Sequence, residues 1–152
     1  MRGPQIMRGY WGQREETEAA LKDGWMRSGD IGFMDERGWF YIVDRKKDMI
    51  NASGFKVWPR EVEECLYEHP AVREAAVVGA PDPYRGETVL AYVSCKPGAQ
   101  VDEAALTAHC RAALAVYKCP RHIHIVDELP KTATGKIQRH ALRNALRTGP
   151  NT

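Results

Sequence analysis

The chain has 152 residues, of which 43% are hydrophobic and 28% are charged, and its formal net charge is +2. This composition is typical of a globular domain and excludes a disordered or fibrous protein. We expect no transmembrane helix, because the sequence has no run of about 18 apolar residues. The N-terminal residues lack the apolar core of a secretory signal, so we expect a cytoplasmic protein.

Residues 1–46 are predicted to be rich in strands. A short helix is predicted in QREETEAALKDG, which has acidic residues early and Gly24 at its end. The apolar runs IGFM and WFYIV favour a β-hairpin, because the residues DERG between them favour a turn. We infer that this part packs against a larger body, since its aromatic side chains have no obvious helix partner. These side chains are Trp11, Trp25, Phe33, Trp39, Phe40 and Tyr41.

An abrupt change in composition follows at DRKKD, a run of consecutive charged residues that we interpret as an exposed hinge. Gly54 then interrupts the strand-like stretch MINASGFKVWP and predicts a tight turn. Pro59 suits the first turn of a helix, PREVEECLYEH. The strands REAAVVGA and TVLAYVSC follow on either side of the turn-rich PDPYRGE.

The rest of the chain is predicted to add two helices and a strand. Asp102 is a candidate N-cap for the helix EAALTAHCRAALA, and HIHIV is predicted to be a strand. The loop DELPKTATGK leads into a final helix, IQRHALRNAL. From Glu61 onward this order predicts an α+β fold, in which a small mixed sheet is covered by helices.

The cysteines and histidines do not predict a metal site. Cys65, Cys95, Cys110 and Cys119 form no C-x-x-C pair and lie in or beside apolar segments, which favours small buried thiols in a reducing compartment. A strand at 122–126 would place its two histidines on one face. No further ligand has the spacing of a tetrahedral zinc site, so we expect no metal here.

The C-terminal part of the chain is basic. Residues 117–147 contain seven Lys or Arg against two acids, a net charge of +5. This pattern fits either a solvated basic face or a surface that meets phosphate groups. Nucleic-acid binding is the weaker interpretation, because the cations alternate with the apolar stripe of the final helix.

The TGK sequence that ends at Lys136 invites comparison with a phosphate-binding loop. A Walker loop requires G-x-x-x-x-G-K-[ST]. Here Pro130 occupies the position of the first glycine, and Ile137 follows the lysine in place of a hydroxyl residue. The motif is therefore not a P-loop. Lys136 is either an ordinary surface lysine or a point charge for phosphate or carboxylate oxygens.

Several longer segments occur in a fixed order: GPQIMRGYWG, GWMRSGDIGFMDERGWFYIVDRKKDMINASGFKVWPREVE, VVGAPDPYRGETVLAYV, YKCPR and ELPKTATGKIQR. Together they resemble the C-terminal portion of adenylate-forming enzymes, specifically AMP-dependent fatty acyl-CoA synthetases, which are acid–thiol ligases. The resemblance covers residues 3–147. It implies that 1–46 is the strand-rich end of a large AMP-binding domain, 47–147 is a mobile C-terminal domain and 148–152 is a tail.

The resemblance implies a two-step reaction. A carboxylate attacks the α-phosphate of ATP to give an acyl-adenylate and pyrophosphate, and the thiol of coenzyme A displaces AMP after the C-terminal domain has swung. Lys136 would bridge the carboxylate and the α-phosphate, Asp30 would hold the ribose hydroxyls, and Arg45 would also contact the nucleotide. Lys47 would be the hinge. The loop presented for the thioester step would comprise Ser53, Gly54, Phe55 and Lys56.

The implied substrates are a fatty acid or other carboxylic acid, ATP with Mg²⁺, and coenzyme A. The Ser/Thr/Gly-rich phosphate loop of these enzymes is absent from this sequence, so the nucleotide and Mg²⁺ would be bound mainly by a large N-terminal domain. We therefore expect the chain alone to be inactive. The alternatives are a stand-alone, non-catalytic binding or regulatory module, or the equivalent domain of an aryl-CoA ligase or a peptide-synthetase adenylation domain.

Overall fold

A computed structural model describes residues 1–148 and divides the chain into two compact units. The first unit is Met1–Lys47, and the second begins at Asp48. A 3₁₀ turn at Lys46–Asp48 contains this division. The assignment of these units to parts of a larger enzyme stays a prediction.

The first unit consists of a short helix and two hairpins. Helix α1 (Arg14–Ala20) precedes the antiparallel pair β1 (Leu21–Lys22) and β2 (Trp25–Met26). Strands β3 (Asp30–Met34) and β4 (Phe40–Arg45) then form the predicted hairpin.

Asp35 closes the turn of that hairpin. Its Oδ1 accepts hydrogen bonds from the backbone N–H groups of Trp39 and Arg37, at 2.9 and 3.0 Å. The bond from Trp39 is the main reason that the pKa of Asp35 lies below its ordinary value.

The aromatic side chains of this unit are largely exposed, with Trp11 at 98% and Phe40 at 77%.

The second unit is built on a mixed sheet. Strands β5 (Ile50–Ala52), β6 (Phe55–Val57), β7 (Val72–Asp82) and β8 (Gly86–Cys95) pair antiparallel in the order β6-β5-β8-β7. Strand β9 (His122–Ile125) pairs with β8 in parallel. The helices are α2 (Pro59–Tyr67), α3 (Glu103–Ala113) and α4 (Arg139–Thr148).

Helices cover both faces of the sheet, which confirms the predicted α+β architecture. Alternate residues of β7 and β8 enter two different hydrophobic clusters, because successive side chains of a strand point to opposite faces. The larger cluster contains Leu66 of α2 and Leu106 of α3, both without exposed surface. The smaller cluster contains Leu142 of α4 and Leu129 of the preceding loop.

Local signals in the sequence locate the starts of two helices. Pro59 occupies the first turn of α2, where a missing N–H costs no helical hydrogen bond. Asp102 caps α3 as predicted, because its Oδ1 accepts a hydrogen bond from the N–H of Ala105 at 2.7 Å.

The strand β7 is longer than predicted, since it includes Pro81 and Asp82 of the turn-rich stretch. Pro81 pairs with Glu87 of β8. A proline is tolerated there because β7 lies at an edge of the described sheet, where its missing N–H interrupts no second ladder. The final helix also begins later than predicted, because Ile137 pairs with Lys131 in an isolated bridge.

Candidate functional site

Asp30 and Arg45 lie opposite each other on the β3–β4 hairpin of the first unit. The Nε atom of Arg45 is 3.5 Å from Oδ1 of Asp30, too long for a strong hydrogen bond. The Asp30 side chain is 24% exposed and that of Arg45 is 59% exposed. Both groups therefore retain hydrogen-bonding capacity: the carboxylate can accept bonds from a diol, and the guanidinium can donate to an anion.

A depression of about 520 Å³ lies beside this pair. It is lined by Ser28, Gly29, Arg45, Lys46 and Lys47. The N–H of Lys46 donates to the carbonyl of Gly29 at 2.8 Å, which holds the end of β4 against the start of β3. Three cations from consecutive positions thus line a concave surface that suits a negatively charged ligand.

The predicted thioester-step loop is the tight turn between β5 and β6. Ser53 and Gly54 both have positive φ, at 54° and 86°, as a two-residue hairpin turn of type I′ requires. The N–H of Ser53 donates to the carbonyl of Arg85 at 3.0 Å, and the ring of Phe55 stacks on Tyr117 with centroids 4.7 Å apart. Lys56 is exposed. The turn is therefore held from two sides while its tip faces solvent.

Lys136 lies on a hydrogen-bonded loop rather than an irregular one. The N–H of Thr132 donates to the carbonyl of Lys136 at 2.8 Å, and the N–H of Lys136 donates to Oγ1 of Thr132 at 3.1 Å. Gly135 has a φ of 81°, which favours glycine at this turn. Within residues 1–148 the ammonium of Lys136 has no acidic partner. The loop thus presents an uncompensated positive charge on an ordered support.

The segment that enters this loop is attached to β7. Nζ of Lys131 lies 2.8 Å from Oε1 of Glu74, and Nη2 of Arg73 donates to the carbonyl of Asp127 at 2.9 Å. The hydrogen bond from Lys131 is the main reason that the pKa of Glu74 is lowered. The same bond raises the pKa of Lys131. The Lys136 loop is therefore attached to the sheet at its entry.

A second basic depression was missed by the sequence analysis. It has a volume of about 390 Å³ and lies between the turn at Ser53 and the end of α3. No local motif signals it, because its cations come from the β7–β8 turn, α3 and the segment before β9. Its basic character comes from Arg85, Arg111 and Arg121, and Tyr117 and His122 also line it. Asp82 is the acid near Arg85 and Arg121, and Nη1 of Arg121 lies 3.8 Å from its Oδ2.

The two predicted loops of the second unit contact different elements of the structure. The contacts of the Ser53–Gly54 turn go to Arg85 and Tyr117, whereas those of the Lys136 loop go to β7 and to the loop itself.

Residues 1–148 contain no group of three or more His, Cys, Asp or Glu arranged to hold a metal ion. In the same residues, every helix is too short or too polar to span a membrane.

Comparisons with known proteins identify the family of the chain and several of its relatives. The profile of the AMP-binding enzyme C-terminal domain family matches residues 61–136. The long-chain-fatty-acid–CoA ligase of Bacillus subtilis strain 168 is 56% identical over 142 residues, which is 93% of this chain and 25% of that protein. The 2-succinylbenzoate–CoA ligase of Geobacillus kaustophilus is 44% identical over 96% of this chain and 30% of that protein.

The solved structures show the same relationship. The crystal structure of ATP-bound MatB from Rhodopseudomonas palustris superposes with a TM-score of 0.91 and 37% sequence identity. The match covers 97% of this chain and 29% of that one. The chain thus spans between a quarter and a third of the length of these relatives. It belongs to the AMP-binding enzyme C-terminal domain family.

Proposed function

We propose that the chain is the C-terminal part of a fatty acyl-CoA ligase, which forms an acyl-adenylate from ATP and then a thioester with coenzyme A. The observation that carries this proposal is the exposed, acid-free ammonium of Lys136 on its ordered loop. Support also comes from the 56% identity with a protein named long-chain-fatty-acid–CoA ligase. Because the chain corresponds to 25% of that protein, a larger domain would supply the rest of the site.

In the first step, Lys136 is delivered to a site on the larger domain. The acid carboxylate and the α-phosphate of ATP repel each other, and an ammonium between them offsets that repulsion as the new bond forms. A preorganised charge in such a place contributes about a hundredfold or more to the rate. Asp30 accepts hydrogen bonds from the ribose hydroxyls, and Arg45 donates to the nucleotide. Any Mg²⁺ would neutralise phosphate charge, and the larger domain would have to bind it.

In the second step, the second unit turns about Lys47 so that the Ser53–Lys56 turn replaces Lys136 at the reaction centre. The coenzyme A thiol then attacks the acyl carbon and AMP leaves. Gly54 has open space around its α-carbon, so the pantetheine chain can pass close to the backbone. The neighbouring depression with Arg85 and Arg111 is suited to the phosphates of coenzyme A.

A chimaera tests the proposal directly. The chain replaces the matching 142-residue segment of the Bacillus subtilis ligase, and pyrophosphate release and acyl-CoA formation are measured separately. We expect both activities in the chimaera. Lys136→Ala should lower adenylate formation at least about a hundredfold but spare thioester formation from supplied acyl-AMP. Lys22→Ala, which removes an exposed lysine from β1, is the matched control.

Three results would contradict the proposal or one of its parts. A chimaera that folds but releases no pyrophosphate would show that the chain is a non-catalytic module. Equal loss of both half-reactions in Lys136→Ala would refute the role given to the lysine. Turnover by the 152-residue chain alone would overturn the expectation that it needs a larger domain.

An aryl acid is the second candidate substrate class, favoured by the 44% identity with a 2-succinylbenzoate–CoA ligase. The enzyme encoded by the complete native reading frame separates the two classes. Fatty acids and aromatic acids are supplied to it in turn, and the acid with the higher kcat/KM decides the assignment.

A further inference from the structure

A compact ion network joins the start of α4 to α2 and to the residue after Lys47. Nε of Arg139 donates to Oε1 of Glu63 at 2.9 Å, and its Nη2 donates to Oε2 of the same carboxylate. Nη1 of Arg139 is 3.5 Å from Oδ2 of Asp48, and Nη2 of Arg143 donates to Oδ1 of Asp48 at 2.9 Å. One guanidinium thus bridges two carboxylates.

These carboxylates are among the buried polar groups of the described chain. Asp48 is 8% exposed and Glu63 is 7% exposed. Glu63 also accepts a hydrogen bond from the N–H of Val77 at 2.8 Å, which fixes it to the edge of β7. A buried carboxylate that is held on several sides cannot move freely, so the arginine that binds it is fixed as well.

Arg139 connects the ion network to Lys136, because the two residues are close together in the chain. Arg139 is the first residue of α4 and lies three residues after Lys136, at the exit of its loop. Lys131 anchors the entry of that loop on Glu74. Asp48, at the other side of the network, directly follows Lys47. The network therefore ties the exit of the loop to the first residue beyond the proposed hinge.

We propose that Arg139 is a positioning residue for Lys136, which makes the loop and the residue after the hinge move as one rigid body. The proposal rests on the proposed function for its catalytic consequence, but not for the geometry itself. A rotation at Lys47 is transmitted through Asp48 and Arg139 to the loop, so Lys136 arrives in a fixed orientation. Arg139 does not touch the reacting atoms.

Lysine can replace this arginine only in part. A guanidinium is a planar fork that can bind one carboxylate with two N–H groups and still reach a second, whereas an ammonium is a single point charge. Arg139→Lys keeps the charge but bridges only one carboxylate well. We therefore expect its effects to lie between those of the wild type and Arg139→Met.

Limited trypsin digestion of the 152-residue chain tests the geometry without any assay of activity. Mass spectrometry follows cleavage after Lys136 and, as an internal reference, after Lys56 in the β5–β6 turn. Arg139→Met should raise the ratio of the first rate to the second about tenfold or more, because the exit of the loop loses its attachment to Glu63 and Asp48. Arg14→Met, which removes an exposed arginine of α1, should leave the ratio unchanged. An unchanged ratio in Arg139→Met, or equal acceleration at both sites, would overturn the proposal.

The chimaera separates positioning from a purely structural role. Arg139→Met should lower adenylate formation about a hundredfold through misplacement of Lys136, and should change thioester formation from supplied acyl-AMP by less than about threefold. Equal loss of both half-reactions would mean that Arg139 only stabilises the fold, and would overturn the proposal. If the unmutated chimaera forms no adenylate, the proposed function fails, while the trypsin ratio still decides whether Arg139 holds the loop.

Discussion

Leu66 and Leu142 anchor the two faces of the sheet, and truncating each to alanine measures how much each face stabilises the second unit. Leu66 lies on α2 in the larger cluster and has no exposed surface. Leu142 lies on α4 in the smaller cluster and keeps 8% of its surface exposed. We expect Leu66→Ala to be the more destabilising change.

The magnitude follows from burial and from how far each site can relax. Replacing a buried leucine by alanine costs about 2–5 kcal/mol, and the cost rises with the volume of the cavity that remains. Leu66 of α2 packs in the larger cluster with α3 and the sheet, so the cavity left by alanine cannot easily close. We therefore expect about 4 kcal/mol. Leu142 lies in the smaller cluster and already keeps part of its surface exposed, so less apolar burial is lost and we expect about 2 kcal/mol.

Urea unfolding of the whole chain, followed by far-ultraviolet circular dichroism, gives both values. Leu66→Met is the matched control, because a volume-conserving apolar exchange costs less than about 1.5 kcal/mol. For a unit of about 100 residues, each kcal/mol should also lower the Tm by about 4 °C. If Leu142→Ala costs as much as Leu66→Ala, the reasoning from cluster size and exposure is wrong.

Four further predictions concern single groups. Glu74→Gln should be less stable than the wild type at neutral pH. The depressed pKa of Glu74 stabilises the fold fully above the ordinary value of 4.5, so the difference should shrink as pH falls below 4.5 and vanish below the folded-state pKa. Burial raises the pKa of Cys110 to about 12, so a thiol reagent should label it at least about a hundredfold more slowly than Cys95; equal rates would contradict the buried core. In the chimaera, Asp30→Asn should raise the KM for ATP about tenfold with kcat little changed, and an unaltered KM would remove Asp30 from the nucleotide site. Gly54→Ala should cost about 1 kcal/mol in urea unfolding, since its φ of 86° strains any residue with a Cβ; no loss would argue against this turn.

The sequence by itself determined the local structure of this protein. Asp102 caps α3, Pro59 begins α2, and Gly54 lies in a tight turn, because each of these outcomes depends on residues only a few positions away. The apolar runs REAAVVGA and TVLAYVSC, on either side of a turn-rich stretch, also predicted the two strands β7 and β8. The limits of β7 and α4 were less well predicted, since Pro81 pairs with Glu87 and Ile137 pairs with Lys131 across turns whose limits the apolar pattern does not mark.

Only the tertiary structure decided which charged residues meet. Asp48 and Arg139 are far apart in sequence, and nothing near either residue signals that they share a network. The basic depression is likewise assembled from separate segments, with Arg85 and Arg111 brought together by the packing of α3 against the sheet. The physical reason is that turns, caps and strand patterns are short-range properties of the chain. The pairing of buried charges instead follows from long-range packing. Packing decides which carboxylates are buried away from water, and a buried carboxylate is stable only beside a cation.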